Sequence, residues 1–272
     1  MSTPLLFDSH AHYQDAKFDT LDGGRDALLA KIFSPASDIC GVLNAATDLP
    51  SSRECIALAE RYAPMYAAVG IHPQDCGGVE PSAAAIAAAM EELEALCRHP
   101  KVAAIGEIGL DYYWEENPPK EHQINIFEAQ LALAEKLNLP VVIHDREAHG
   151  DTLEILLRHP HVRGVLHSYS GSREMAAELV KRGWYFSFSG VITFKNAVKP
   201  GEVLKSLPGD RILTETDCPY LAPVPMRGKV NSSAYMHFTA EKQAELLGMD
   251  YADFAVATVE NTRRLFGIPK EI

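Results

Sequence analysis

The chain has 272 residues, 47% of them hydrophobic, with 25 Lys and Arg set against 37 Asp and Glu for a formal net charge of −12. That length and apolar content suffice for a large core, and without a Gly-, Ser- or Pro-rich linker the expectation is one domain over residues 1–272. So acidic a chain is not built to grip long duplex nucleic acid along its phosphates, although divalent cations would invert the field inside an acidic cleft.

Cys40, Cys55, Cys76, Cys97 and Cys218 are scattered and have no C-x-x-C spacing, so neither a disulfide framework nor a cysteine zinc site is expected. No stretch reaches the ~18 unbroken apolar residues of a membrane span, and the first residues lack a basic segment followed by an apolar one. The expectation is a soluble, cytoplasmic protein with no membrane association and no obligate protein partner.

In chain order, a first strand at 4–10 runs into Phe7-Asp8-Ser9-His10-Ala11-His12. Strand alternation would put Asp8, His10 and His12 on one face. Two imidazoles from one backbone suit a divalent cation, but such an ion takes roughly four to six ligands, so other strands must supply donors. Further strands are expected at 39–45, 65–71, 102–107, 140–144, 163–167, 184–189 and 211–216. Helical spacing marks 51–62, 81–98, 120–137, 148–158, 172–182 and 198–207, with 25–33 the weakest, and helices at 234–247 and 251–266 close the chain. The alanine-rich run 81–89 leads into Met90, Leu93 and Leu96 and reads as an ordinary outer helix. Eight Val/Ile/Leu-rich strands alternating with helices match the count of a TIM (β/α)8 barrel, with a doubly wound open sheet as the alternative.

The polar residues at the downstream ends of these strands form a pattern. Strand one ends in His10 and His12, strand four in Glu107, strand five in His144, strand six in His167 and strand eight in Asp217. Taken singly, His144 and His167 could be core histidines, Glu107 a strand-end cap and Asp217 a turn former. In a parallel barrel, however, the carboxyl ends share one rim, and active sites are built there. Four imidazoles and two carboxylates exceed the needs of one tetrahedral zinc, so two ions sharing a carboxylate are expected, with Glu107, central in strand order, as the bridge. The imidazoles favour zinc or another first-row metal, while the carboxylates leave manganese or magnesium open.

Asp8-Ser9-His10-Ala11-His12, Gly70-Ile71-His72-Pro73, Ile105-Gly106-Glu107-Ile108-Gly109-Leu110-Asp111-Tyr112, His144-Asp145-Arg146-Glu147-Ala148, His167-Ser168-Tyr169-Ser170-Gly171 and Glu215-Thr216-Asp217-Cys218-Pro219-Tyr220-Leu221 together closely resemble the TatD family of metal-dependent hydrolases. The likeness runs through Glu260-Asn261-Thr262-Arg263-Arg264-Leu265-Phe266. It implies a TIM barrel of the amidohydrolase superfamily, one or two divalent metal ions, nuclease activity on DNA, and ligands at His10, His12, Glu107, His144, His167 and Asp217. Many other amidohydrolases carry a modified lysine where Glu107 stands. Where the family usually reads Asn-Glu-Pro this chain has Asn231-Ser232-Ser233, which removes a carboxylate and a proline from an expected rim loop and bears on substrate preference. His237, at the start of the next helix, is also unusual.

Several other residues could serve substrate. His72, after strand three, could donate to a substrate phosphate or cap a His-Pro turn. Arg146 has the fork geometry for a phosphate oxygen, against an ion pair with a neighbouring carboxylate. Glu215 shares strand parity with Asp217 and is expected to face inward, orienting a ligand or fixing Arg146. Tyr112, Tyr113 and Trp114 could stack on a base or sugar or pack the barrel mouth. His99, His122, His149, His159 and His161 read as solvated. The expected chemistry is metal-assisted hydrolysis of phosphodiesters in short, single-stranded or 3′-terminal DNA, with Asp217 accepting the proton of the attacking water. Amide or carboxylic-ester hydrolysis at the same centre, and a metal-stabilised scaffold without catalysis, are the rival readings.

Overall fold

The computed structural model describes residues 4–270. Eight strands, β1 (Leu6–Ala11), β2 (Ile39–Ala45), β3 (Met65–Val69), β4 (Val102–Asp111), β5 (Val141–Arg146), β6 (Gly164–Leu166), β7 (Tyr185–Phe188) and β8 (Ile212–Thr214), lie in sequence order in one sheet. Every neighbouring pair is parallel. The β8–β1 seam is joined by the Ala11–Cys218 bridge, by His12 N–H donating to the Cys218 carbonyl at 2.8 Å, and by Ser9 Oγ donating to the Thr214 carbonyl at 2.9 Å. The sheet thus curls into the expected TIM barrel rather than an open doubly wound sheet.

Helices α1 (Gly24–Ile32), α2 (Leu49–Arg61), α3 (Ala83–Cys97), α4 (Lys120–Leu137), α5 (His149–Arg158), α6 (Arg173–Val180), α7 (Val198–Ser206), α8 (Met236–Leu247) and α9 (Tyr251–Phe266) alternate with and then follow the strands. Their ends carry local signals. Asp48 and Ser51 form a reciprocal capping box at α2, Ser82 and Ser172 accept from the third backbone N–H of α3 and α6, and Gly248 and Gly267 end α8 and α9 in the left-handed region. None of these helices is long and apolar enough to cross a membrane.

One apolar cluster takes residues from every strand, including Phe7, Leu43, Ala68, Ala104, Val142, Val165, Tyr185 and Leu213, and is closed off by Leu265, Phe266 and Ile268 at the end of the chain. This is the barrel interior. The Phe7 ring occupies the place where a Cβ on Gly41 would stand, 2.2 Å from the nearest ring carbon, so glycine there makes room for the largest interior side chain of β1. Two residues beyond Val142, Val165 and Leu213 on the same face come His144, His167 and Glu215, so the polar layer sits directly on the apolar one.

β1 and β4 break this parity. Each has a register shift, between Asp8 and Ala11 and between Ile105 and Ile108. From inward-facing Phe7 and Ala104, simple alternation would turn His10 and Glu107 outward; the irregularities re-aim both into the barrel. The expectation that Asp8 shares a face with His10 is therefore corrected.

Candidate metal centre

Four donor atoms from three parts of the chain meet above the apolar layer. His10 Nε2 and His12 Nε2 lie 3.0 Å apart, and Glu107 Oε2 lies 3.2 Å from the first and 3.3 Å from the second. Asp217 Oδ1 completes the group at 3.6 Å and 3.3 Å from the same nitrogens. An ion holding N and O ligands at about 2.0–2.2 Å on tetrahedral vertices would space them about 3.3–3.6 Å apart, and an octahedral magnesium at about 2.0–2.1 Å would bring neighbours to about 2.9 Å. The observed spacings of 3.0–3.6 Å bracket both geometries, so the donor set fits one small divalent cation.

The other oxygen of the same carboxylate faces a second group. Glu107 Oε1 lies 2.7 Å from His167 Nε2, 2.8 Å from His144 Nδ1 and 3.4 Å from His72 Nε2. His144 Nδ1 and His167 Nε2 are themselves 3.3 Å apart. Glu107 thus presents one oxygen to each of two imidazole-rich positions, the geometry of a bridging ligand. His10, His12 and Glu107, then His10, His167 and Asp217, then His72, Glu107 and His144, each form a triplet compact enough for one ion.

Outer partners orient these rings. His12 Nδ1–H donates to the Ala45 carbonyl at 2.8 Å, so that Nε2 faces the centre and would offer its lone pair to an ion that displaces its proton. His144 Nε2 lies 3.1 Å from Asp111 Oδ2, and His167 Nδ1 lies 3.5 Å from Glu215 Oε1. Glu215 is fully buried and accepts from Ser168 N–H at 2.7 Å and from the Ser187 hydroxyl, so it ties β6 and β7 to the residues after β8. Glu215 faces inward as expected, and its approach to a donor ring is the 3.5 Å to His167 Nδ1, not a contact with Arg146. His72 Nδ1 accepts from Gln74 N–H at 3.2 Å, so the proton of the neutral ring sits on Nε2, facing Glu107.

Burial and mutual attraction set the charges. Burial would raise the Glu107 and Asp217 carboxyls, but the surrounding histidines outweigh it and hold both below their ordinary values, Glu107 well below. Burial would lower His12, yet hydrogen bonds to Asp217 and Glu107 push it up to about 10, and Glu107 likewise raises His167 well above the usual range. His10 goes down because burial and the His167 charge dominate. The carboxylates are ionised and the cluster holds protons as counter-cations, which a divalent ion would displace.

The six residues read from the sequence as ligands converge, with His72 against them and Arg146 on the wall of the same cavity, whose volume is about 690 Å³. Some details differ from expectation. β4 continues past Glu107 to Asp111, and β8 stops at Thr214, so Asp217 lies beyond the strand in the left-handed region, at φ 58°, held by its N–H to the His10 carbonyl at 3.0 Å. Asp8 turns away from the centre and accepts from Thr216 Oγ1 and Ser233 Oγ, each at 2.6 Å. Arg146 lies against rings rather than a carboxylate, its guanidinium carbon 3.8 Å from the Tyr113 centroid. His122 is buried, not solvated, with its Nε2 2.9 Å from the Cys76 carbonyl oxygen. Asp111 was missed, although extending strand four by two residue pairs puts it on the face of Glu107.

Comparison with known proteins shows the family. The family described as TatD related DNase matches residues 7–267. The chain is 40% identical to the metal-dependent hydrolase YabD of Bacillus subtilis over 97% of this chain and 100% of that protein, and 38% identical to YcfH of Escherichia coli K12 over 97% and 96%. The crystal structure of the TatD homologue YjjV of E. coli K12 superposes with a TM-score of 0.85 at 31% identity, covering 97% of this chain and 98% of that one. The phosphotriesterase homology protein of E. coli shares the fold alone, with a TM-score of 0.69 at 13% identity. With strand order, donor cluster and near full-length likeness in agreement, the chain belongs to the TatD family of metal-dependent hydrolases.

Proposed function

We propose that this protein hydrolyses phosphodiester bonds in single-stranded or terminal DNA. The observation that carries the reading is the division of Glu107 between two donor groups. Paired cations a few ångströms apart suit a displacement at phosphorus, where attacking and leaving oxygens both need charge stabilisation. Zinc is the first choice because the centre brings together the imidazoles of His10, His12, His144 and His167 around one shared carboxylate.

His10, His12, Glu107 and Asp217 would hold one ion in this reading, and Glu107, His144 and His167 the other. When bound, divalent cations supply Lewis acidity that polarises a phosphoryl oxygen and eases the deprotonation of water. Asp217 takes the proton of the attacking water: it is ionised, and it lines the cavity with its side chain 14% exposed. His72 presents Nε2–H to a phosphoryl oxygen, and Arg146 offers its guanidinium edge to a neighbouring phosphate. The acidic surface favours short or unpaired strands over long duplex.

The test compares zinc- or manganese-loaded protein on end-labelled single-stranded DNA, on the matching duplex, and on a panel of carboxylic esters and amides. Chelator-sensitive cleavage of the single strand is expected. Turnover of the acyl panel with the DNA intact would move the protein to the rival hydrolase class, and turnover of neither would leave a binding scaffold.

A further inference from the structure

Resting on the nucleic-acid reading above, we infer that Trp114 and Tyr113 form a seat for a nucleobase beside the metal centre. Both rings are large and substantially exposed, Tyr113 at 50% and Trp114 at 44%, and Trp114 lines the central cavity. They meet edge to face, with centroids 4.7 Å apart and planes at 89°, so one ring braces the other. Arg146 lies 3.8 Å from the Tyr113 centroid and 5.3 Å from that of Trp114. Aromatic faces beside a cation are the elements that hold unpaired nucleotides, because every base has a π-face and every linkage a charge.

The seat is fixed in place relative to the donors. β4 and β5 pair Gly109 with His144 and Asp111 with Arg146, so Arg146 stands two residues, about 7 Å, downstream of a metal-facing histidine. Tyr112 N–H donates to the Arg146 carbonyl at 2.9 Å, and Tyr113 N–H donates to Asp111 Oδ1 at 2.9 Å. Asn117 Nδ2 and Gln123 Nε2 each donate to the Asp111 carbonyl at 3.0 Å, and Gln123 Oε1 accepts from Asp111 N–H at 2.9 Å. Such anchoring holds the backbone below the rings while leaving their outer surfaces open. A pair that merely closed the barrel mouth would gain by burying those surfaces, at ~25 cal/mol for each Å².

The experiment uses metal-loaded protein and two oligonucleotides of equal length, one with all its bases and one abasic around the scissile linkages. Stacking lost on removing one aromatic corresponds to roughly 5- to 140-fold in affinity, so the wild type should show a lower KM for the base-bearing strand by a factor in that range. In Trp114→Ala the two substrates should converge, and in Trp114→Phe, which keeps a ring, the preference should return. Fluorescence gives a second readout, because the chain has two tryptophans and Trp184 is only 1% exposed. The base-bearing strand should quench wild-type emission and leave Trp114→Phe unchanged. A wild type that cleaves both strands with one KM, or a Trp114→Ala that keeps the full preference, overturns the seat while the nuclease reading stands. A wild type that cleaves neither overturns both.

Discussion

Asp8 makes a stability prediction with a definite sign. Its carboxyl is fully buried, and burial pushes it up from 3.8 to about 7 despite hydrogen bonds from Ser233 and Thr216 that pull the other way. A carboxyl raised on folding binds its proton more tightly in the native state. Its contribution is therefore fully present below pH 3.8 and is lost as pH rises through about 7. Linkage between those two values gives a loss of about 2 kcal/mol at pH 5.5 and about 4 kcal/mol at pH 8.5. Asp8→Asn keeps an oxygen to accept from Thr216 N–H and an amide to donate to the hydroxyls, and it cannot ionise. Rearranging those hydroxyls costs the same at either pH, so the informative quantity is the change in the mutant-minus-wild-type difference. Urea unfolding in chelator should show the variant gaining about 2 kcal/mol on the wild type between pH 5.5 and pH 8.5. An unchanged difference would mean that Asp8 titrates normally and that its hydrogen bonds, not its burial, dominate.

Glu107→Gln should lose both ions together, because each oxygen of Glu107 faces its own group of imidazoles; metal content after equal reloading checks this, and full occupancy would remove Glu107 from the centre. Asp217→Asn should lower turnover by roughly 10²–10⁴-fold with at least one ion retained, and near-normal turnover by the fully loaded variant would show that Asp217 is not the base. Asp111→Asn should weaken the ion facing His144 by about 10–100-fold while sparing the one at His10 and His12, as separate titrations would report. Zinc at about 100 times its dissociation constant should stabilise the wild type by about 2.7 kcal/mol, and a melting temperature indifferent to zinc would contradict a folded-state site.

The barrel was legible because fully buried parallel strands are written as continuous apolar runs, and the donors stand out as the polar residues ending them. Helix limits at 120–137 and 251–266 coincide with α4 and α9. What alternation could not supply was the two register shifts. Both turn a donor inward against strand parity, so Asp8 was placed with His10 when it belongs on the other side of β1. The same limit explains strand eight, where the inward position of Glu215 follows from parity with Leu213 but Asp217 reaches the centre through a left-handed turn. Short-range patterns do not encode a turn whose conformation is fixed by a hydrogen bond to His10, two hundred residues away in the chain. His122 fails for a related reason: a place in a helix suggests solvent, while its Nε2 lies 2.9 Å from the carbonyl oxygen of Cys76, 46 residues earlier in the chain.

The departure at Asn231-Ser232-Ser233, read from the sequence as bearing on substrate preference, also bears on how the centre is supported. All three residues are buried. Asn231 Nδ2 donates to the Thr216 and Tyr220 carbonyls at 2.9 and 2.7 Å, on both sides of Asp217. Ser233 donates its N–H to Tyr13 Oη at 2.9 Å and its hydroxyl to Asp8 at 2.6 Å. A proline at 233 would supply neither donor, leaving a buried phenol and a buried carboxyl each short of a partner, at about 1–3 kcal/mol apiece. The serine therefore belongs with Asp8 and Tyr13 as one unit, which clamps β1 to the segment carrying Asp217. Because Asp8 also accepts from His10 N–H at 3.3 Å, this unit sets how firmly one metal-facing histidine and the proposed base are held against each other. Ser233→Ala should therefore loosen the position shared by His10, His12 and Asp217 before it touches the one at His144 and His167. Metal titration of that variant decides the matter: equal weakening of both positions would show that the clamp supports the barrel as a whole and not this side of the centre.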